Sequence, residues 1–166
     1  MVSSISKWCL LLNENSKNLV GYCGLYCGGC GIYQGKIKQA VENLRKIISC
    51  YGFDKITSEL AKWEPSFQHY TEFENVMDGL VKIFGECPGC INGGGDPNCA
   101  VRECCKQKAY TTCVECAEME TCEKLRRYGP QALEGLQKIK AMGVDKWAEE
   151  MQKKVNAGYC YLDERI

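Results

Sequence analysis

The chain has 166 residues, of which 14 are cysteine, and it balances 21 basic against 21 acidic side chains. The length allows one domain with a real core. The balanced charge argues against a nucleic-acid binder that works by neutralising many phosphates. No segment approaches the roughly 20 apolar residues of a membrane span.

The first twenty residues, MVSSISKWCLLLNENSKNLV, hold only the short apolar run Trp8 to Leu12, ended by Asn13 and Glu14. A secretory signal needs a longer apolar run and a small-residue cleavage site. The chain is therefore expected to be soluble and cytoplasmic. In a reducing compartment, clustered cysteines bind metal or do redox chemistry more often than they form structural bridges.

The stretch NLVGYC could form a short strand. It leads into YCGLYCGGCGIY, residues 22 to 33, where Cys23, Cys27 and Cys30 sit among four glycines. Glycine lets a backbone wrap a cation without Cβ clashes. The sequence then turns helical. In KIKQAVENLRKIIS the apolar residues from Ile37 to Ile48 follow one helical face, and Gly52 stops it. A shorter helix is predicted over 54–63, with Ile56, Leu60 and Trp63 on a stripe. A third is predicted from Pro65 or Ser66 to Phe84, closed by Gly85, although Thr71 and Glu74 have the spacing of a later capped start. The aromatics Trp63, Phe67, Tyr70 and Phe73 read as core. His69, the single histidine, reads as a surface or core residue rather than a ligand or general base.

ECPGCINGGGDPNC is loop by every signal. AVRECCKQKAY and AEMETCEKLRRY are predicted as short helices. Pro130 starts a helix through Met142, and the last helix runs from Asp145 to Ala157. The expected fold is all-α, mainly helical with little or no β, and with a cysteine-rich loop region stapled by metal. It is expected as a single domain over 1–166. A cysteine-rich core spans 20–127, with inserted helices at about 36–84, and 128–166 forms a C-terminal helical extension.

A CxxC turn aims two sulfurs at one spot, and zinc takes four in a tetrahedron. CGGC, CPGC and CVEC supply three such turns. Cys87/Cys90 followed by Cys113/Cys116 matches a zinc pattern of two CxxC pairs, with 22 residues between the pairs where 15–20 is usual. The spacing leaves open which pair meets which. Three cysteines in the first cluster leave one position short, either for a distant cysteine or for water or substrate. In the vicinal pair Cys104-Cys105, one thiol is expected as a ligand and the other packed inward.

The run Cys23-Gly24-Leu25-Tyr26-Cys27-Gly28-Gly29-Cys30, followed by Ile32-Tyr33, resembles the opening of a small cysteine-rich microbial family with no assigned function. The similarity continues through a C-x-G-C at Cys87 and Cys90, and through Cys99, Val101, Arg102 and Cys104. It ends with Cys113, Cys116, Cys122, Lys124 and Leu125, so it covers about residues 20 to 127. The resemblance implies that ten cysteines form one motif set: Cys23, Cys27, Cys30, Cys87, Cys90, Cys99, Cys104, Cys113, Cys116 and Cys122. It also implies zinc binding, and it implies no reaction. The chain departs from the family at Cys105, where alanine is usual, and at Met119-Glu120-Thr121, which replaces an aromatic-proline.

Ten cysteines do not divide by four, so two zinc ions are expected, with two thiols spare. One site is expected to mix the two clusters. The functional expectation is a metal-binding, non-enzymatic protein with structural four-cysteine zinc sites, acting as an interaction module for a protein partner. Nucleic acid and membrane are not expected as partners, and the oligomeric state is left open. The alternative is an iron–sulfur redox protein or enzyme with a cluster at Cys23, Cys27 and Cys30. Their spacing is that of enzymes that cleave S-adenosylmethionine to radicals. Those enzymes need a barrel of alternating strands and helices, and no such pattern follows here. A thioredoxin-like redox pair would need a βαβ context, which is also absent.

Overall fold

The computed structural model describes residues 16–163. The run Trp8 to Leu12 and the isolated Cys9 lie outside the described residues. Within them the protein is all-α. Helices α1 to α7 span Lys36–Tyr51, Thr57–Leu60, Tyr70–Phe84, Ala100–Gln107, Glu123–Arg126, Pro130–Met142 and Val144–Asn156. No described helix is long and apolar enough to cross a membrane. The stretch NLVGYC gives one antiparallel bridge, Val20 to Tyr26, rather than a strand.

The chain divides into two compact units. The first joins the chain up to Tyr33 with the chain from Pro88 onward, and the second is Gln34–Cys87.

In the first unit, α6 and α7 pack together and against the cysteine-bearing turns. Pro130 begins α6 where its missing N–H costs nothing. Ala132, Leu136 and Ile139 face inward from α6, and Trp147, Ala148 and Met151 from α7. They meet Val20, Tyr26, Val101 and Leu125 in one core. The ends of the unit are tied by polar contacts. The Tyr26 hydroxyl donates to Gln152 Oε1 at 2.7 Å. The Tyr161 hydroxyl accepts from the Tyr26 N–H at 3.1 Å, and the Tyr161 N–H donates to Gly29 O at 2.8 Å. The C-terminal segment thus seats directly on the turn Cys27–Gly29.

In the second unit, α1 and α3 run antiparallel. Arg45 pairs with Glu74 and Asp78, and Lys38 lies opposite Glu86. Only Val41 on α1 and Met77 on α3 are fully buried.

Two predicted helices are broken. Over 54–63 the chain makes a 3-10 turn at Phe53–Lys55, leaves helical geometry at Ile56 (φ −121°), and then forms the single turn α2. A pattern of one or two turns cannot by itself outweigh the cost of helix nucleation. Over 117–128 the chain forms a 3-10 turn, Met119–Thr121, then an extended Cys122, then α5. The helix Tyr70–Phe84 is preceded by a 3-10 turn, Pro65–His69, in which the Glu64 side chain accepts from the Ser66 N–H. The aromatics read as core are not fully buried. Trp63 is 83% exposed and Phe73 41%, while Phe67 and Tyr70 are half-buried.

Candidate functional site

The first unit brings cysteines from distant parts of the sequence into two gatherings. In the first, the Cys90 N–H donates to Cys27 Sγ at 3.2 Å. A Cβ added at Gly21 would lie 3.6 Å from Cys90 Cβ and 3.8 Å from Cys23 Sγ, which sets those two cysteines side by side. Cys23 also feels the charge of Cys90 and Cys99. Cys99 caps the N-terminus of α4, its sulfur accepting from the Arg102 N–H at 3.4 Å. The Tyr128 hydroxyl donates to the same sulfur at 3.0 Å. This gathering therefore holds Cys23, Cys27, Cys90 and Cys99, two from each sequence cluster.

The second gathering lies between α4 and the turn Cys113–Glu115. Cys104, Cys105, Cys113, Cys116 and Cys122 line one small cavity with Val101, Met119 and Leu125. Cys105 Sγ lies 3.4 Å from Cys113 Sγ. Cys105 is packed into the core, while Cys104 is half-buried at the cavity. Cys122 leaves helical geometry between the 3-10 turn and α5, and its side chain lines this cavity. Lys108 Nζ stands 4.0 Å from Cys116 Sγ and brings positive charge to the rim.

Local sequence builds these turns. Thr112 and Glu115 form a capping box around the turn of CVEC. Glu115 Oε1 accepts from the Thr111 hydroxyl at 2.6 Å and from the Thr111 N–H at 2.7 Å, which holds its carboxyl below the usual range. The Cys113 N–H donates to Tyr22 O at 2.8 Å and so docks this turn beside the first gathering.

Arg102 is the residue whose role the sequence did not reveal. It is buried, and its guanidinium donates to Gly94 O at 2.8 Å, Asp96 O at 2.6 Å and Pro97 O at 3.1 Å. One planar fork thereby fixes the glycine-rich loop between Cys90 and Cys99. A lone arginine among cysteines, one turn after a glycine-rich loop, is the available sequence signal. Arg102→Met is expected to strand these carbonyls and cost about 3 kcal/mol in urea unfolding. Arg102→Lys should recover only part of the loss, because an ammonium lacks the fork.

Cys30 and Cys87 are half-buried. Cys30 follows the turn Cys27–Gly29. Cys87 belongs to the second unit. Cys50 is exposed on α1 and Cys160 is buried near the C-terminus. His69 is exposed on the second unit and borders a shallow apolar groove with Phe53, Phe67 and Phe73.

Burial pushes the Cys23 thiol up to about 12. Cys90 is raised by its hydrogen bond with Cys27 and by burial, and Cys113 by burial and by its contact with Cys105. As the side chains stand, no three His, Cys, Asp or Glu among the described residues form a cage around one point. The donor chemistry nevertheless suits a soft divalent ion. Each gathering offers sulfur only, and a bound cation inverts the thiol preference, since a coordinating thiol is deprotonated outright. Backbone N–H groups from Leu25, Cys90 and Arg102 already point at the sulfurs of Cys23, Cys27 and Cys99.

Residues 19–127 match a family described as a protein of unknown function, DUF3795. The chain belongs to that family. No curated protein and no solved structure matches the chain. The DUF3795 match ends just before α6, whereas the core around the cysteine turns includes α6 and α7. The first unit thus extends past the DUF3795 segment on its C-terminal side.

Proposed function

We propose that this protein binds two zinc ions through four-cysteine sites and uses them to hold the first unit closed, as a non-enzymatic interaction module of the cytoplasm. Cys23, Cys27, Cys90 and Cys99 would hold one ion. Cys104, Cys113, Cys116 and Cys122 would hold the other, with Cys105 packed behind it. Cys30 and Cys87 are then the two spare thiols of the ten. Zinc bound by four thiolates supplies folding free energy and leaves no position for substrate. Each such site carries about two net negative charges, which Lys108 offsets at the second.

The observation that carries this reading is the gathering of nine thiols, four in one group and five in the other, with backbone N–H groups aimed at three of the sulfurs. Such contacts stabilise thiolate over thiol. They serve no purpose for an ordinary buried cysteine, which packs as a small hydrophobe. The chain's own residues orient the sulfurs: Arg102 fixes the loop, and Thr112 with Glu115 fixes the CVEC turn.

Elemental analysis and a visible spectrum of protein purified anaerobically, without added metal, test the proposal. Two zinc per chain in a colourless preparation is the expected result. Less than one metal per chain would end it. Brown protein containing iron would transfer the site to an iron–sulfur cluster.

A further inference from the structure

We propose that the second unit associates with the same unit of a second copy of this chain, through one apolar face, to form an antiparallel four-helix bundle. On α1, Leu44, Ile47 and Tyr51 fall at intervals of three and four. On α3, Phe73, Val76, Leu80 and Ile83 do the same. All seven remain between 39% and 72% exposed. Spacing of three and four repeated along a helix is the seam of a helix–helix interface. At 100° per residue both stripes lie on one side of the helix pair. Arg45, Glu74 and Asp78 occupy the opposite side. Val41 and Met77 seal the line between the helices. The unit is therefore half of a bundle, with its inner face uncovered.

The exposed area selects a second copy. The two stripes expose on the order of 700 Å², taking roughly 200 Å² for a whole large residue. That is close to the ~800 Å² each partner contributes to a standard interface, and more than soluble monomers usually leave bare in one patch. A two-fold axis parallel to the helices sets each α1 over the α3 of the other copy, and does so twice. This arrangement makes every neighbouring pair antiparallel, the geometry of up-down bundles.

Sedimentation velocity on the full, metal-replete chain from about 1 to 100 µM tests this. The expected result is a reversible species of twice the 18.6 kDa chain mass. Ile47→Glu and Val76→Glu, both at exposed positions, should weaken association at least tenfold with helical circular dichroism unchanged. If either loses helicity, the milder Val76→Ser and Leu80→Gln give the same reading. A chain that stays monomeric at 100 µM overturns the proposal. So does a dimer indifferent to these substitutions, or a monomer that instead co-sediments with anionic vesicles through this face.

Discussion

On the proposed reading, in which two zinc ions hold the first unit closed, excess chelator under reducing conditions is expected to lower the thermal midpoint by more than about 15 °C or to abolish the cooperative transition. The loop from Cys90 to Cys99 and the turns of CVEC and Met119–Thr121 contain few buried apolar residues. They are pinned instead by Arg102, by the Thr112 and Glu115 box, and by the sulfurs. An apparent contribution on the order of 10 kcal/mol per structural zinc exceeds the whole net stability of many domains. For a chain of this size each 1 kcal/mol moves the midpoint by about 2–4 °C. Losing even a fraction of one site is therefore a large shift. Cys116→Ala should lose one metal equivalent, while Cys50→Ala, exposed on α1, should lose none. Midpoints measured by circular dichroism before and after chelation decide the matter. An unmoved melt would remove the structural role of the ions.

Gly24→Ala is expected to destabilise the first unit by about 4 kcal/mol, read as a shift in the urea midpoint. The backbone at Gly24 is left-handed, with φ +82°. That conformation alone costs a side chain roughly 1–2 kcal/mol. An added Cβ would also stand 2.7 Å from Leu136 Cγ and 2.8 Å from the Leu136 backbone nitrogen. Leu136 is completely buried and its nitrogen belongs to α6, so neither can yield without moving the helix. From the other side, a Cβ at Gly135 would run into Gly24 O, and Trp147 Nε1 donates to that same oxygen at 3.2 Å. Gly24, directly after Cys23, is thus the point where the cysteine loop and the C-terminal helices touch backbone to backbone. Gly35→Ala separates the two causes. It has the same backbone strain, φ +70°, but nothing within 4 Å of an added Cβ. It should cost about 1 kcal/mol.

The longer helices were legible in the sequence because their apolar residues recur at helical spacing and a glycine follows each end. Gly52 after α1, Gly85 after α3 and Gly143 after α6 stand where the periodicity predicted them. What failed was periodicity over one or two turns. The stripe of Ile56, Leu60 and Trp63 has helical spacing, yet Trp63 projects into solvent. Cys122 interrupts AEMETCEKLRRY with an extended residue. Spacing left open which thiols meet. The structure brings the Cys90 N–H to Cys27 Sγ and sets Cys90 near Cys23. That choice depends on Gly21, Arg102 and Tyr128, contacts that no local window contains.

The contact of Tyr161 with Gly29 has a consequence for biosynthesis. The first unit closes through hydrogen bonds between residues near the two ends of the chain, with Gln34–Cys87 intervening. Sequence separations this long slow folding. A ribosome emits residues in order, so Cys23 and Cys27 emerge more than a hundred positions before Tyr161 can dock over them. During that interval Cys23 and Cys27 lack the cover that the Tyr161 segment supplies in the folded unit.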